Sequence, residues 1–533
     1  MRAFSALLDR LTLTPARNGK LALLDRYFRE TPDPDRGVAL AALTGGLDLP
    51  GVKPAIIRAL ILERMDAELF AHSYDFVGDL AETVSLAWPP TGHGEEAESP
   101  TLGDVVGMLG TASRADAPAI LGDLLDRLDA PGRYAVLKLV TGGLRVGLSA
   151  RLAKTALARF GGVDVVEIEE IWHGLAPPYA ELFAWLDGKA DKPANMFAAP
   201  FRPVMLANPA AMDDLETVDP ADYLVEWKWD GIRVQLSSSG GLTRLYSRRG
   251  DDISAAFPEV VEAALFDGTL DGELLVGTPP DHVGSFSDLQ QRLNRKTVSV
   301  KLQQKFPAFI RCYDLLFDGG ADLRDRPLAE RRQRLETVVG RMDPCRFDLS
   351  PQVEVESWQA LDGLRNDPPL PVIEGVMLKR LDSPYLAGRP KGPWFKWKRD
   401  PHVVDAVLMY AQRGHGKRSG YYSDYTFGVW TGDAENPALV PVGKAYFGFT
   451  DEELRAIDRF VRENTVERFG PVRAVRAEPG HGLVLEVAFE GINRSTRHKS
   501  GVAMRFPRIS RLRWDKPPAE ADRLETVEKL LPE

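Results

Sequence analysis

The stretch Glu226-Trp227-Lys228-Trp229-Asp230-Gly231-Ile232-Arg233 sets a lysine between two indoles, with carboxylates on both sides and a guanidinium five residues on. A lysine so placed can act as a nucleophile. Its ordinary pKa of about 10.4 means that it must be helped to lose a proton, and nearby cations with partial burial would give that help. The plainer reading is a surface lysine at a hairpin.

Further groups follow in order along the chain. Arg248-Arg249-Gly250 ends a run of strand-forming residues with two cations suited to anionic oxygens. Glu273 follows a turn-like Asp271-Gly272, and Tyr313 lies between Cys312 and Asp314 in an apolar run. Ile373-Glu374-Gly375 through Lys379 supplies another carboxylate and lysine. Lys396 and Lys398 stand two residues apart, which puts both on one side of a strand. Arg505, Arg508, Arg511, Arg513, Asp515 and Lys516 close the series.

The elements that position these groups fall into three regions. Residues 1–190 read as all-α, with helices over Ala115–Leu128 and Arg133–Leu139. Asp187–Pro203 is rich in proline and reads as a linker. Residues 201–400 read as an α+β domain, with strands over Tyr223–Trp229, Val234–Ser237, Thr269–Val276 and Phe309–Phe317 and helices over Ile253–Ala264 and Leu328–Val339. Residues 401–533 read as a small β-barrel of five or so strands, with a helix over Asp451–Asn464 and a short charged helix over Pro517–Glu533.

This ordered set resembles the covalent nucleotidyltransferases, and most closely the ATP-dependent DNA ligases of the bacterial type with a helical DNA-binding domain. The resemblance implies an N-terminal helical DNA-binding domain, a nucleotidyltransferase (adenylation) domain and a C-terminal OB-fold. It implies ATP as substrate, Mg2+ or Mn2+ as metal, and nicked duplex DNA as partner. Lys228 would carry AMP, with Lys396 and Lys398 neutralising the α-phosphate. Glu226, Arg233, Arg248, Glu273, Tyr313, Arg389 and Arg513 would contact the nucleotide, Tyr313 by stacking on adenine. Glu273 and Glu374 would hold the metal. Thr141, Gly142, Gly143 and Arg145 in the helical region, with Arg249, Lys417, Arg418, Arg505 and Arg508, would contact DNA. The implied reaction seals 5′-phosphate/3′-hydroxyl nicks through lysyl-AMP and an adenylylated DNA end, in repair, replication or recombination.

Composition bounds the alternatives. The 533 residues carry 67 Lys+Arg against 77 Asp+Glu, a net charge of −10, which alone speaks against nucleic acid. The charge is unevenly spread: between Arg494 and Lys516, eight cations including Arg497 face the single carboxylate Asp515. Two cysteines exclude a disulfide scaffold and the zinc module usual in NAD-dependent ligases. No apolar run is long enough to span a membrane, and Met1–Lys20, interrupted by charges, does not read as a signal peptide, so a cytoplasmic protein is expected, working as a monomer. An RNA ligase or a capping-type nucleotidyltransferase would share the lysine motif without the helical region, and a non-enzymatic DNA clamp would not need its lysines and carboxylates intact.

Overall fold

A computed structural model covers the chain. It describes all residues except 90–98, 194–198, 281, 294, 296, 414–419, 434, 435, 497, 532 and 533, and the side chains of Asp75 and Phe76. The chain divides into two compact units. One comprises Asp164–Ala176 and Lys192–Asp400; the other comprises Met1–Val163, Pro177–Asp191 and Pro401–Glu533. Asp164–Ala176, read from sequence as part of the helical region, therefore groups with the middle of the chain.

The N-terminal region is helical, and its helices begin where the sequence caps them. Asp129 accepts from Gly132 N ahead of the helix Ala130–Thr141, and Ser149 accepts from Leu152 N ahead of Ala150–Gly161. Gly142, in the left-handed region at φ 65°, ends the first of these. Among the described residues no helix is long and apolar enough to cross a membrane.

The middle unit is built on two sheets. Its strands are β1 (Asn208–Pro209), β2 (Tyr223–Trp229), β3 (Ile232–Ser239), β4 (Leu242–Ser247), β5 (Gly268–Thr278), β6 (His282–Val283), β7 (Ala308–Asp318), β8 (Ala321–Asp322), β9 (Phe347–Leu349), β10 (Ile373–Arg380) and β11 (Trp394–Lys398). The smaller sheet runs β1-β11-β10-β2; the larger runs β4-β3-β5-β7-β8, with β6 on β5 and β9 on β7. The helix Leu328–Val339 buries Leu328, Leu335 and Val339 in this unit. The helix expected over Ile253–Ala264 is instead a 3-10 turn, Ser254–Ala256, and a short helix, Pro258–Glu262. Proline at position 258 disfavours the helical conformation in the residue before it, so the helix starts there.

The C-terminal region curls. It contains β12 (His402–Arg413), β13 (Tyr422–Thr431), β14 (Ala438–Ala445), β15 (Thr465–Phe469), β16 (Val472–Val475), β17 (Val484–Phe489), β18 (Gly491–Arg494), β19 (Val502–Arg505) and β20 (Arg508–Arg513). That is more strands than the five or so expected, because β15, β16, β18 and β19 are only four or five residues long. The long β12 pairs with β13 along one edge, and along the other with β17 near its start and β16 near its end. β17 continues to β20. The helix Asp451–Glu463 buries Leu454, Ile457 and Val461 against a core that includes Tyr425, Phe427 and Phe489. Among its described residues, the charged tail holds a 3-10 turn at Pro518–Glu520 and a short helix at Leu524–Glu528 in place of one helix.

Candidate active site

The middle unit contains a cavity of about 430 Å³ whose wall includes Lys228, Glu273, Tyr313, Glu374, Lys396 and Lys398. Strand register explains how residues so far apart converge. Gly375 on β10 lies opposite Lys228 on β2 and Lys398 on β11, so these two lysines share one row across the sheet. Met377 is likewise flanked by Glu226 and Lys396, two residues along each strand and on the same face.

Two key side chains reach the cavity by breaking the strand pattern. The β10–β2 pairing slips between Ile373 and Gly375, so Glu374 is a bulge residue. Its carboxylate turns onto the lysine face and accepts a hydrogen bond from Lys228 Nζ, with Lys398 Nζ 3.7 Å from the same oxygen. Gly375 follows at φ +141°, where a Cβ would stand 2.3 Å from Trp397 O. Between β5 and β7 the register steps from Asp271 opposite Asp314 to Gly272 opposite Cys312, which leaves Tyr313 as the extra residue.

The electrostatics correct one expectation. Burial draws the Lys228 ammonium down, but the charge and hydrogen bond of Glu374, with Glu273 and Asp230 behind, outweigh it and leave the pKa raised. The resting lysine is therefore held protonated, not poised to lose its proton. Burial alone would push Glu374 up; Lys228 and Lys398 reverse this and hold it at about 2. Among the described residues Glu273 has no such close partner, and burial pushes it up to about 7 despite Lys228 and Arg233. Burial lowers Lys396, with help from Lys398 and Arg389.

Arg233 is fixed from behind. It donates to Asp271 at 2.6 Å, to the Tyr385 hydroxyl at 3.0 Å and to the Met205 carbonyl. Glu226 is 1% exposed, and its carboxylate binds Arg332 at 2.8 Å and Lys379 at 2.5 Å. Glu226 lines the cavity, but its carboxylate is taken up by these two cations, which makes the main chain of this strand a further candidate partner for a base. Arg248 and Arg389 line the cavity; Arg249 is exposed and is not among its lining residues. Trp229 is core, packed with Leu275, Phe309 and Ile373 and covered by the Arg311 guanidinium at 4.2 Å.

The sequence reading gave no role to Lys379, whose ammonium lies 4.0 Å from the Tyr313 ring centre and 4.8 Å from that of Trp394. Its place in the Glu374 motif was the available signal. Asp271, which holds Arg233, had the same kind of signal in its place beside Glu273, and Tyr385, which also holds Arg233, carried none.

Glu273 and Glu374 suit a divalent cation. Both are carboxylates in the cavity wall, the charge of Glu374 is felt at Glu273, and a cation would relieve the burial that pushes Glu273 up. Two carboxylates are enough when phosphate oxygens and water complete the shell.

The remaining candidates lie in the other unit. Arg513 pairs with Asp405 at 3.2 Å and Asp515 at 2.9 Å, and Lys516 reaches the same Asp405 oxygen at 2.7 Å. Arg505 ends β19 and Arg508 begins β20. Trp514 is 55% exposed, with its ring edge-on to Phe460. Thr141, Gly142 and Gly143 sit at the C-terminal end of their helix, the end disfavoured for anions; Arg145 is exposed in the loop leading to the next helix N-terminus. Lys417 and Arg418 lie outside the described residues, as do Arg497 and most of the acidic loop at 89–100.

Comparison with known proteins agrees with this layout. The family model described as ATP dependent DNA ligase domain matches residues 204–398, and that described as ATP dependent DNA ligase C terminal region matches residues 418–516. A probable DNA ligase of Koribacter versatilis is 31% identical, over 99% of this chain and 96% of its own. A DNA ligase 1 of Korarchaeum cryptofilum is 30% identical, over 99% of this chain and 98% of its own. A solved chain described as Pmar-Lig_PreS3 shares the fold at a TM-score of 0.60 and 15% identity, over 96% of this chain and 99% of that one. The chain belongs to the ATP-dependent DNA ligase family. It is an ATP-dependent DNA ligase: it uses ATP as substrate with a divalent metal such as Mg2+, and seals nicks in DNA through lysyl-AMP, as is standard for the family.

Proposed function

We propose that Lys228 is the residue that carries AMP. The observation behind this is the shared row of Lys228 and Lys398, with Glu374 between them and Lys396 one row along, in the wall of a single cavity. Nζ first gives up to water the proton it holds against Glu374, then attacks the α-phosphorus with the freed lone pair. The bond to the bridging oxygen breaks and pyrophosphate leaves. Lys396 and Lys398 lie where charge grows on the α-phosphate oxygens, and their fixed positions require no reorganisation during the step. Tyr313 offers a face for adenine, Arg248 and Arg389 bind phosphate, and Arg233, locked by Asp271 and Tyr385, presents a preset cation at the site. Glu273 and Glu374 would hold a divalent ion, which would supply positive charge to neutralise the phosphates. In the second step a 5′-phosphate oxygen of the nick displaces the Lys228 amine from phosphorus. In the third the 3′-hydroxyl attacks and AMP leaves.

The three regions 1–190, 201–400 and 401–533 are taken as DNA-binding, adenylation and OB-fold domains. The long, doubly paired β12 and the helix after β14 support the barrel reading. Arg505, Arg508 and the Thr141–Arg145 segment are assigned to the DNA backbone, and Arg513 to the nucleotide. The enzyme is taken to work as a monomer in the cytoplasm, where two unpaired thiols fit a reducing milieu.

The test is covalent labelling with ATP or GTP carrying label at the α-phosphate, in magnesium. ATP is expected to label the wild type and not Lys228→Ala, and nicked duplex DNA to discharge the label into sealed product. Labelling by GTP alone, or of Lys228→Ala at the wild-type level, would overturn the assignment. Discharge by an RNA nick only would move the reading to RNA ligation.

A further inference from the structure

The Asp164–Ala176 segment precedes the middle unit in sequence, is separated from it by Pro177–Asp191, and still packs as part of it. Its helix Val165–Ile171 is tied down by charge. Glu170 accepts from Arg202 at 2.5 Å and from Arg324, and Glu167 pairs with Lys192 at 3.0 Å. The Arg202 and Arg324 guanidiniums lie over the Phe317 ring of β7, at 4.4 and 5.1 Å from its centre. One carboxylate thus joins the segment to the larger sheet at two places.

The 3-10 turn after this helix, Trp172–Gly174, delivers His173. Its ring stands edge-on to Phe201, with centres 5.0 Å apart, and tilted against Tyr246, with centres 5.9 Å apart. Tyr246 is itself secured by its hydroxyl, which donates to Ala199 O at 2.9 Å. The His173 ring also closes on Gly250. A Cβ at that position would stand 2.4 Å from His173 Cε1 and 2.6 Å from Nε2, and Gly250 has φ +88°. Gly250 N donates to Ser247 O at 2.8 Å, which closes the turn holding Arg248 and Arg249. Arg248 is a wall residue of the cavity.

We propose that His173 is a positioning residue for the nucleotide: its ring seats the Arg248–Gly250 turn and thereby sets where the Arg248 guanidinium meets ATP. The inference rests on reading the cavity as the ATP site. The glycine at 250 serves two needs, the positive φ and the close approach of the imidazole, and no larger residue would meet both. A segment encoded among the N-terminal helices is thus part of the adenylation machinery. It does not touch substrate, so its loss is felt in binding geometry and not in the chemistry at Lys228.

The experiment uses the full chain and follows lysyl-AMP formation over a range of ATP concentrations. His173→Ala is expected to raise KM for ATP by about tenfold with kcat within about twofold, the pattern of a lost binding interaction. His173→Phe, which keeps a ring against Gly250 and Tyr246, is expected to restore most of the KM. In an Arg248→Ala background, His173→Ala is expected to add little, because two residues acting through one contact are non-additive. An unchanged KM in His173→Ala, a loss confined to kcat and not rescued by His173→Phe, or full additivity with Arg248→Ala would each overturn the inference. Failure of the wild type to label from ATP would instead overturn the reading of the cavity.

Discussion

Lys228 and Glu374 meet across adjacent antiparallel strands, ammonium against carboxylate, in the wall of the middle unit's cavity. Their side chains are 22% and 19% exposed, so neither is well served by water. Removing Lys228 leaves Glu374 with the more distant Lys398 at 3.7 Å, and removing Glu374 takes the hydrogen-bonded carboxylate from Lys228, whereas removing both removes the problem. Lys228→Met and Glu374→Gln are each expected to cost about 2 kcal/mol in urea unfolding of the metal-free enzyme, and the double variant less than their sum by about 1 kcal/mol or more. Strict additivity would show that the pair carries no coupling.

The bulge that aims Glu374 depends on the residue after it. Gly375 has φ +141°, and a Cβ there would lie 2.3 Å from Trp397 O and 2.7 Å from Lys398 Cα. Gly375→Ala must therefore shift β11, which carries Lys396 and Lys398. Adenylylation is expected to fall by at least about a hundredfold, since small misplacements of reacting groups carry costs of that order. Gly363, inside the helix Trp358–Asn366, has open space around it. Gly363→Ala is expected to keep full activity and gain about 0.5–1 kcal/mol of stability. Comparable activity in the two variants would show that the bulge is not needed.

These two positions also show why the site was only partly legible in the sequence. Lys228 and the Lys396/Lys398 pair could be placed because β2 and β11 are regular and alternation holds along them. The Tyr223–Trp229 strand and the Leu328–Val339 helix fall where their patterns put them for the same reason. Glu374 and Tyr313 were recognisable by motif, yet their facing was not, because each is an extra residue in a ladder and a bulge leaves no periodic trace. The ion pair of Glu226 with Arg332 spans 106 residues, and nothing local announces it. The raised pKa of Lys228 follows from the same kind of distant pairing, with Glu374 146 residues away. In the helical region Gly142 ends its helix, and the spacing of Gly142 and Gly143 does not by itself separate that role from a contact with phosphate.

In the helical region Asp79 and Lys138 form an ion pair with side chains 30% and 10% exposed. Burial would raise the Asp79 pKa, but the Lys138 hydrogen bond and charge with the backbone N–H of Glu82 bring it below the usual 3.8. A carboxyl whose folded pKa is depressed stabilises the fold above its unfolded pKa and loses that contribution as pH falls through the folded value. Lys138→Met is therefore expected to be less stable than wild type by about 1 kcal/mol at pH 6, discounted for partial exposure, and the gap to narrow below about pH 4. Unfolding followed by circular dichroism at the two pH values measures it. A gap that widens in acid would reverse the sign and remove Asp79 as its source.

The net charge of −10 leaves DNA affinity to a localised set of cations, which salt dependence can count. Arg505 and Arg508 flank Phe506, a non-glycine residue in the left-handed region at φ 51° with 63% of its surface exposed. If both meet phosphates, binding to a nicked duplex that cannot be sealed should fall steeply with salt, and Arg505→Ala and Arg508→Ala should each weaken it and lower the slope of log K against log salt by about 1. Lysyl-AMP formation from ATP is the parallel measurement, and it should keep its salt response in both variants because no DNA is present. A weaker affinity with an unchanged slope would mean that the arginines support the fold around Phe506 and do not bind phosphate.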